Sequence, residues 1–141
     1  MAEAFILDPR LGGSSALVAD WPLCELRLKD DARFAWLLLV PRRAGAVEFT
    51  DLSPEDYRQL CEEILAATRV VEQVMEPDKV NVAMLGNVVS QMHVHVVGRF
   101  RSDPAWPGAI WCAGDGSVMP PERLEELVEL HARAAEAFFR G

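Results

Sequence analysis

The stretch Gln91-Met92-His93-Val94-His95-Val96-Val97-Gly98-Arg99 decides how the rest of the chain is read. Polar and apolar residues alternate through it, and on a β-strand alternate side chains share a face. A strand over Gln91–Phe100 therefore presents Gln91, His93, His95 and Arg99 on one side and sends Met92, Val94 and Val96 into a core. Polar rings on a buried strand face are costly unless they have partners or a task. Two neutral imidazoles about 7 Å apart along a strand can hold one anionic group between them. One ring can attack phosphorus while the other donates a hydrogen bond, provided that a partner fixes its tautomer. Two plainer readings compete: a pair of solvated surface histidines, and a zinc site. The third histidine, His131, and Cys112 are the only further ligand candidates, and they lie on a distant helix and loop with no supporting spacing.

Outward from this stretch the elements follow a simple order. Ala16–Trp21 and Cys24–Leu28 read as strands, the second alternating apolar with charged residues as if one face were wet. Lys29-Asp30-Asp31-Ala32 is a hairpin turn, and Phe34–Val40 is an apolar run suited to a strand covered on both faces. Phe5–Leu7 is either a short edge strand or a helical turn. Ser53-Pro54-Glu55-Asp56 starts a helix: a capping hydroxyl, a proline at the first position, and acids at the positive end of the dipole. Its apolar stripe is Tyr57, Leu60, Ile64, Thr68, Val71 and Met75, and Pro77 stops it. Val80–Leu85 is a further strand, and a last helix begins near Pro120-Pro121-Glu122. Arg101–Met119 between them is long for a loop, which points to function or a partner contact. Antiparallel strands with two packed helices make an α+β fold.

Length and charge narrow the function. The 141 residues suit one domain, residues 1–141, with a core over about 16–100 and a tail over 101–141. The net charge is −8, with no basic footprint, which excludes duplex nucleic acid as the main partner. The longest apolar run is too short to span a bilayer, and the first residues lack the pattern of a signal peptide. Cys24, Cys61 and Cys112 are odd in number and widely spaced, which suits a reducing compartment; a cytoplasmic location is expected.

The motif resembles the signature of the histidine triad (HIT) family, His-φ-His-φ-His-φ-φ with φ apolar, here with Gln91 in the first position. Two flanking stretches resemble it too: Gly86-Asn87-Val88-Val89-Ser90 just upstream, and Leu37-Leu38-Leu39-Val40-Pro41-Arg42-Arg43 before the long helix. The resemblance implies a HIT-like fold, an antiparallel meander sheet with a long helix and a C-terminal helix. It also implies a nucleotide hydrolase or nucleotidyl transferase without cofactor or metal, working as a homodimer. In that scheme His93 attacks the α-phosphorus and forms a covalent nucleotidyl-histidine. His95 hydrogen-bonds the phosphate, Asn87 and the backbone near Gly86 lend donors, and Asp31, or Asp30, meets ribose hydroxyls.

Gln91 departs from the pattern, because an amide hydrogen-bonds but cannot carry charge or shuttle a proton. Polyphosphate or nucleotide-ester cleavage is therefore favoured over phosphoramidate cleavage, which needs a good acid for the amine. A binding module that has lost turnover, and a transferase with an acceptor other than water, stay open as alternatives. Strand parity puts Arg99 beside phosphate or merely over the sheet. Trp106 and Trp111 are candidates for stacking on a base, for a subunit boundary, or for packing within the chain.

Overall fold

A computed structural model describes residues 3–140. Five strands form one antiparallel sheet in the order β1-β2-β3-β5-β4: β1 Ser15–Asp20, β2 Cys24–Lys29, β3 Ala35–Pro41, β4 Lys79–Ala83 and β5 Val94–Arg99. The first three strands meander. Helix α2, Pro54–Met75, then crosses over to the edge strand β4, and β5 returns to fill the gap beside β3. A one-turn helix α1, Pro9–Gly12, precedes β1, and α3, Pro121–Ala135, closes the chain. The segment around Phe5–Leu7 is neither strand nor helix.

Helix α2 starts and stops where its sequence dictates. The Ser53 hydroxyl accepts from Asp56 N–H at 3.1 Å, Pro54 takes the first position, and Glu76, in the left-handed region at φ 50°, ends the helix before Pro77. The buried face is rotated from the expected stripe: Leu60, Ala66, Ala67, Val70 and Val71 face the sheet, and Tyr57 is exposed against Phe49. Ile64 and Met75 of the expected stripe pack at the edge of that core, partly buried.

Glu63 is fully buried on that face. Its carboxylate accepts Leu23 N–H at 2.9 Å and Cys24 N–H at 2.8 Å, two amides at the turn into β2, and the Gln59 amide at 2.8 Å. Buried N–H groups need acceptors, so this carboxylate fastens α2 to the sheet. Burial pushes the adjacent Cys24 thiol pKa up, reinforced by Glu63.

The register assigns the two faces of the sheet. Leu37 pairs with Val96 and Leu39 with Val94 on the helix side, while Leu38 pairs with His95 and Trp36 with Val97 on the other. That second face is covered by the chain's own 101–119 segment: Ile110, Trp111, Ala113 and Ala105 pack over Phe34, Trp36, Leu38 and Val97. Asp30 accepts Met119 N–H at 2.8 Å and Arg33 donates to the Ala113 carbonyl at 2.9 Å, which hold the segment down. β2 differs from its expected wet face: Arg27 is buried, ion-paired to Glu25 at 2.7 Å and bonded to Ser15.

Candidate active site

β5 begins at Val94, later than the expected start at Gln91, so Gln91, Met92 and His93 lie on the bend that enters it. This brings the two rings closer than a regular strand would, with centroids 4.9 Å apart. The His93 Nδ1 lies 2.7 Å from the backbone carbonyl of Gln91. A carbonyl only accepts, so Nδ1 carries the proton and Nε2 of the neutral ring carries a free lone pair. His95 is set the opposite way. The Trp36 indole N–H donates to His95 Nδ1 at 2.9 Å, so the proton of the neutral ring is on Nε2.

Burial, then the nearby His93 and Lys29, push the His95 pKa down to about 3, so the ring is neutral at ordinary pH. Trp36 and Trp111 enclose it, with ring centroids 5.6 and 5.2 Å away. One lone pair and one N–H donor thus stand side by side at the wall of a cleft of about 440 Å³. Arg10, Leu11, Gly86, Asn87 and Val88 line the same cleft. Gly86 has φ +77°, the region that glycine adopts without strain, while a Cβ there would find room; the turn, not crowding, calls for glycine.

The structure therefore brings His93, His95, Gly86 and Asn87 to one cleft and leaves three expected residues outside it. Arg99 shares the His95 face but is closed off at the far end of β5. It is buried, paired to Asp103 at 2.8 Å, bonded to Asn81 at 2.9 Å and stacked on Trp106. Asp103 needs that cation as much as Arg99 needs the carboxylate, whose pKa falls to about 2 chiefly through Arg99. Asp31 lines the adjoining lobe, but its carboxylate is almost fully buried and is taken by Arg33 through the side chain at 3.0 and 3.1 Å and through the backbone N–H. It has no free edge for a ribose. Asp30 keeps one oxygen on Met119 N–H.

Gln91 turns its side chain away from the cleft. Its carbonyl accepts Asp8 N–H at 2.8 Å and its amide donates to the Ile6 carbonyl at 2.9 Å. It therefore ties the N-terminal segment against the His93 bend and holds α1 where Arg10 and Leu11 can line the site. Gln91→Leu should lose about 2 kcal/mol of stability through the two lost hydrogen bonds, read in a urea titration. The same variant should also expose the segment before α1 to protease. Unchanged stability and an unchanged cleavage pattern would remove the tether.

Trp36, Arg10 and Lys29 are site residues that the sequence reading did not single out. Trp36 alone left a signal: a tryptophan inside an aliphatic strand must find an acceptor for its N–H. Trp106 and Trp111 are both engaged within the chain, on Arg99 and on His95. Among the described residues no cluster of three His, Cys, Asp or Glu side chains could hold a metal ion.

A HIT domain model matches residues 13–102 of the chain. Three solved histidine triad proteins are similar over nearly the full length. One from Bradyrhizobium japonicum is 33% identical, covering 98% of this chain and 100% of that one, with a TM-score of 0.88. One from Sinorhizobium meliloti is 36% identical, covering 94% and 96%, with a TM-score of 0.87. One from Marinobacter aquaeolei is 31% identical, covering 96% and 98%, with a TM-score of 0.91. A diadenosine triphosphate hydrolase from Plasmodium falciparum, 16% identical over 99% of this chain and 86% of its own, shares the fold at a TM-score of 0.63. Among curated proteins nothing matches the chain. On the extent of the domain match and the identity to these three proteins, the chain belongs to the HIT domain family.

Proposed function

We propose that this protein is a nucleotide-phosphate hydrolase that works through a covalent nucleotidyl-histidine on His93. The opposite tautomers of His93 and His95 carry the reading. His93 Nε2 attacks the α-phosphorus of a dinucleoside polyphosphate; an N–P bond forms, and the P–O bond to the leaving phosphate breaks with its electron pair on oxygen. The His93 ring becomes cationic, and the Gln91 carbonyl that accepts its Nδ1–H stabilises that charge. The His95 Nε2–H donates to the phosphoryl oxygens, and the Gly86–Val89 turn lines the same cleft. Water then attacks phosphorus, the N–P bond breaks back onto the imidazole, and a nucleoside monophosphate leaves.

The wider setting of the proposal is a single domain that pairs as a homodimer in a cytoplasmic, reducing compartment. The three free cysteines, and the open edge of β4 with its exposed Val82, support it.

The test is to trap the intermediate. Diadenosine triphosphate, the substrate in the name of the Plasmodium relative, serves as the probe. Turnover is quenched in alkali, which preserves N–P bonds, and the digested protein is weighed. One adenylyl group on the His93 peptide is expected. Turnover with no adduct, or an adduct at another residue, would overturn the mechanism.

A further inference from the structure

The cleft does not end at the histidines. Ser14, Lys29, Trp36 and Trp111 line both the histidine lobe and a second lobe of about 420 Å³ that reaches Asp31, Arg33 and Gly116. These four residues stand at the border between the lobes. The cations around the two lobes are not equivalent. Arg10 is held by Asp8 through two contacts at 3.0 and 3.2 Å, and Arg33 is held by Asp31. Lys29 has no carboxylate within ion-pair distance among the described residues.

The Lys29 ammonium is half-buried, lies 5.4 Å from the centre of the Trp36 ring, and donates to the Ser14 hydroxyl at 3.0 Å. An ammonium has three N–H donors, so two are left for a ligand. The indole N–H of Trp111, which lines both lobes, is buried and has no acceptor. Burial lowers the Lys29 pKa, opposed by the field of Asp31 and Asp30, and an anion at this border would favour the charged form that burial disfavours.

The attacked phosphate already has His95 Nε2–H and the Gly86–Val89 turn, so a charge at this border meets a different group. We propose that Lys29, oriented by the Ser14 hydroxyl that accepts one of its N–H bonds, binds a second phosphate of the substrate, adjacent to the one that His93 attacks. The inference rests on the nucleotide reading above and narrows it to ligands with at least two linked phosphates.

Binding, rather than turnover, separates this from the proposed function. The probes are AMP and α,β-methylene-ADP, whose carbon bridge resists cleavage, and the readout is the fluorescence of Trp36 and Trp111 in the cleft. The wild-type protein should bind the diphosphate about tenfold more tightly than AMP, an advantage that shrinks as salt is added. Lys29→Met should abolish the advantage and leave AMP binding within about twofold, which also shows that the variant is folded; Lys29→Arg should keep most of it.

Equal binding of the two ligands by the wild-type protein would overturn the inference. So would equal weakening of both in Lys29→Met, or no binding of either ligand. Equal binding together with a nucleotidyl adduct on His93 would remove only the role of Lys29. A Lys29-dependent preference without any adduct would keep Lys29 and remove the hydrolase.

Discussion

His93→Asn is expected to lose turnover by about 10⁴-fold or more, because removing a nucleophile leaves no local group to form the covalent intermediate. The alternatives in the cleft are poor. His95 has its Nδ1 lone pair tied to Trp36 and its proton on Nε2, so it presents no lone pair to phosphorus. Lys29 serves the border between the lobes, and no described cysteine lines the histidine lobe. Stability should change by about 1 kcal/mol or slightly more, since the lost contacts are the Nδ1–H bond to the Gln91 carbonyl and the ring edge against His95. Steady-state rates with diadenosine triphosphate, beside a thermal melt, check both halves. Turnover within tenfold of wild type in a folded variant would sink the assignment.

The parts of this molecule that were legible in the sequence are those where one local rule decides. The start and stop of α2 follow from Ser53, Pro54 and Pro77, each acting within a turn of its own position. The doubly buried β3 follows from an uninterrupted apolar run. The histidine pair was legible because alternation along a strand is a local pattern.

What the sequence hid depends on register and on long-range contact. Glu63 looks like any charged helical residue until the turn before β2 presents two amides to it. Arg99 and Asp31 carry the right chemistry at plausible positions, but Asp103 and Arg33 close them off at four and two residues' distance. Parity gave Arg99 the correct face and could not say that the face continues past the cleft. Gln91 was misplaced because β5 starts at Val94, and its amide satisfies backbone groups more than eighty residues away. The departure from the triad pattern thus supports the wall of the cleft and lies behind His93.

The same long-range logic makes Trp36→Phe the most informative change after His93. Phe keeps a six-membered ring against Phe34 and His95 and deletes the N–H that reaches His95 Nδ1 together with the five-membered ring that carries it. Without that donor His95 can place its proton on Nδ1. Its Nε2 lone pair would then face the phosphoryl oxygens and repel them. Loss of an orienting partner of this kind costs about 10 to 100-fold in rate, and the loss should fall on kcat more than on KM.

A merely structural role for Trp36 would lower stability and leave the titration of His95 unchanged, so that titration is the deciding measurement. In the wild-type protein the His95 pKa lies at about 3 against 6.5 for a free imidazole. The unfolded chain therefore binds more protons than the folded one between those values, and this ring makes the protein more stable as pH rises from 3 to 6.5. With the Trp36 donor gone Nδ1 is open to protonation, so the pKa should rise, while the burial that chiefly depresses it remains, and that share of the pH dependence should shrink. Imidazole NMR resonances followed from pH 3 to pH 8 give the answer for each protein. A folded Trp36→Phe protein with kcat within twofold of wild type and an unmoved His95 titration would show that the indole only packs.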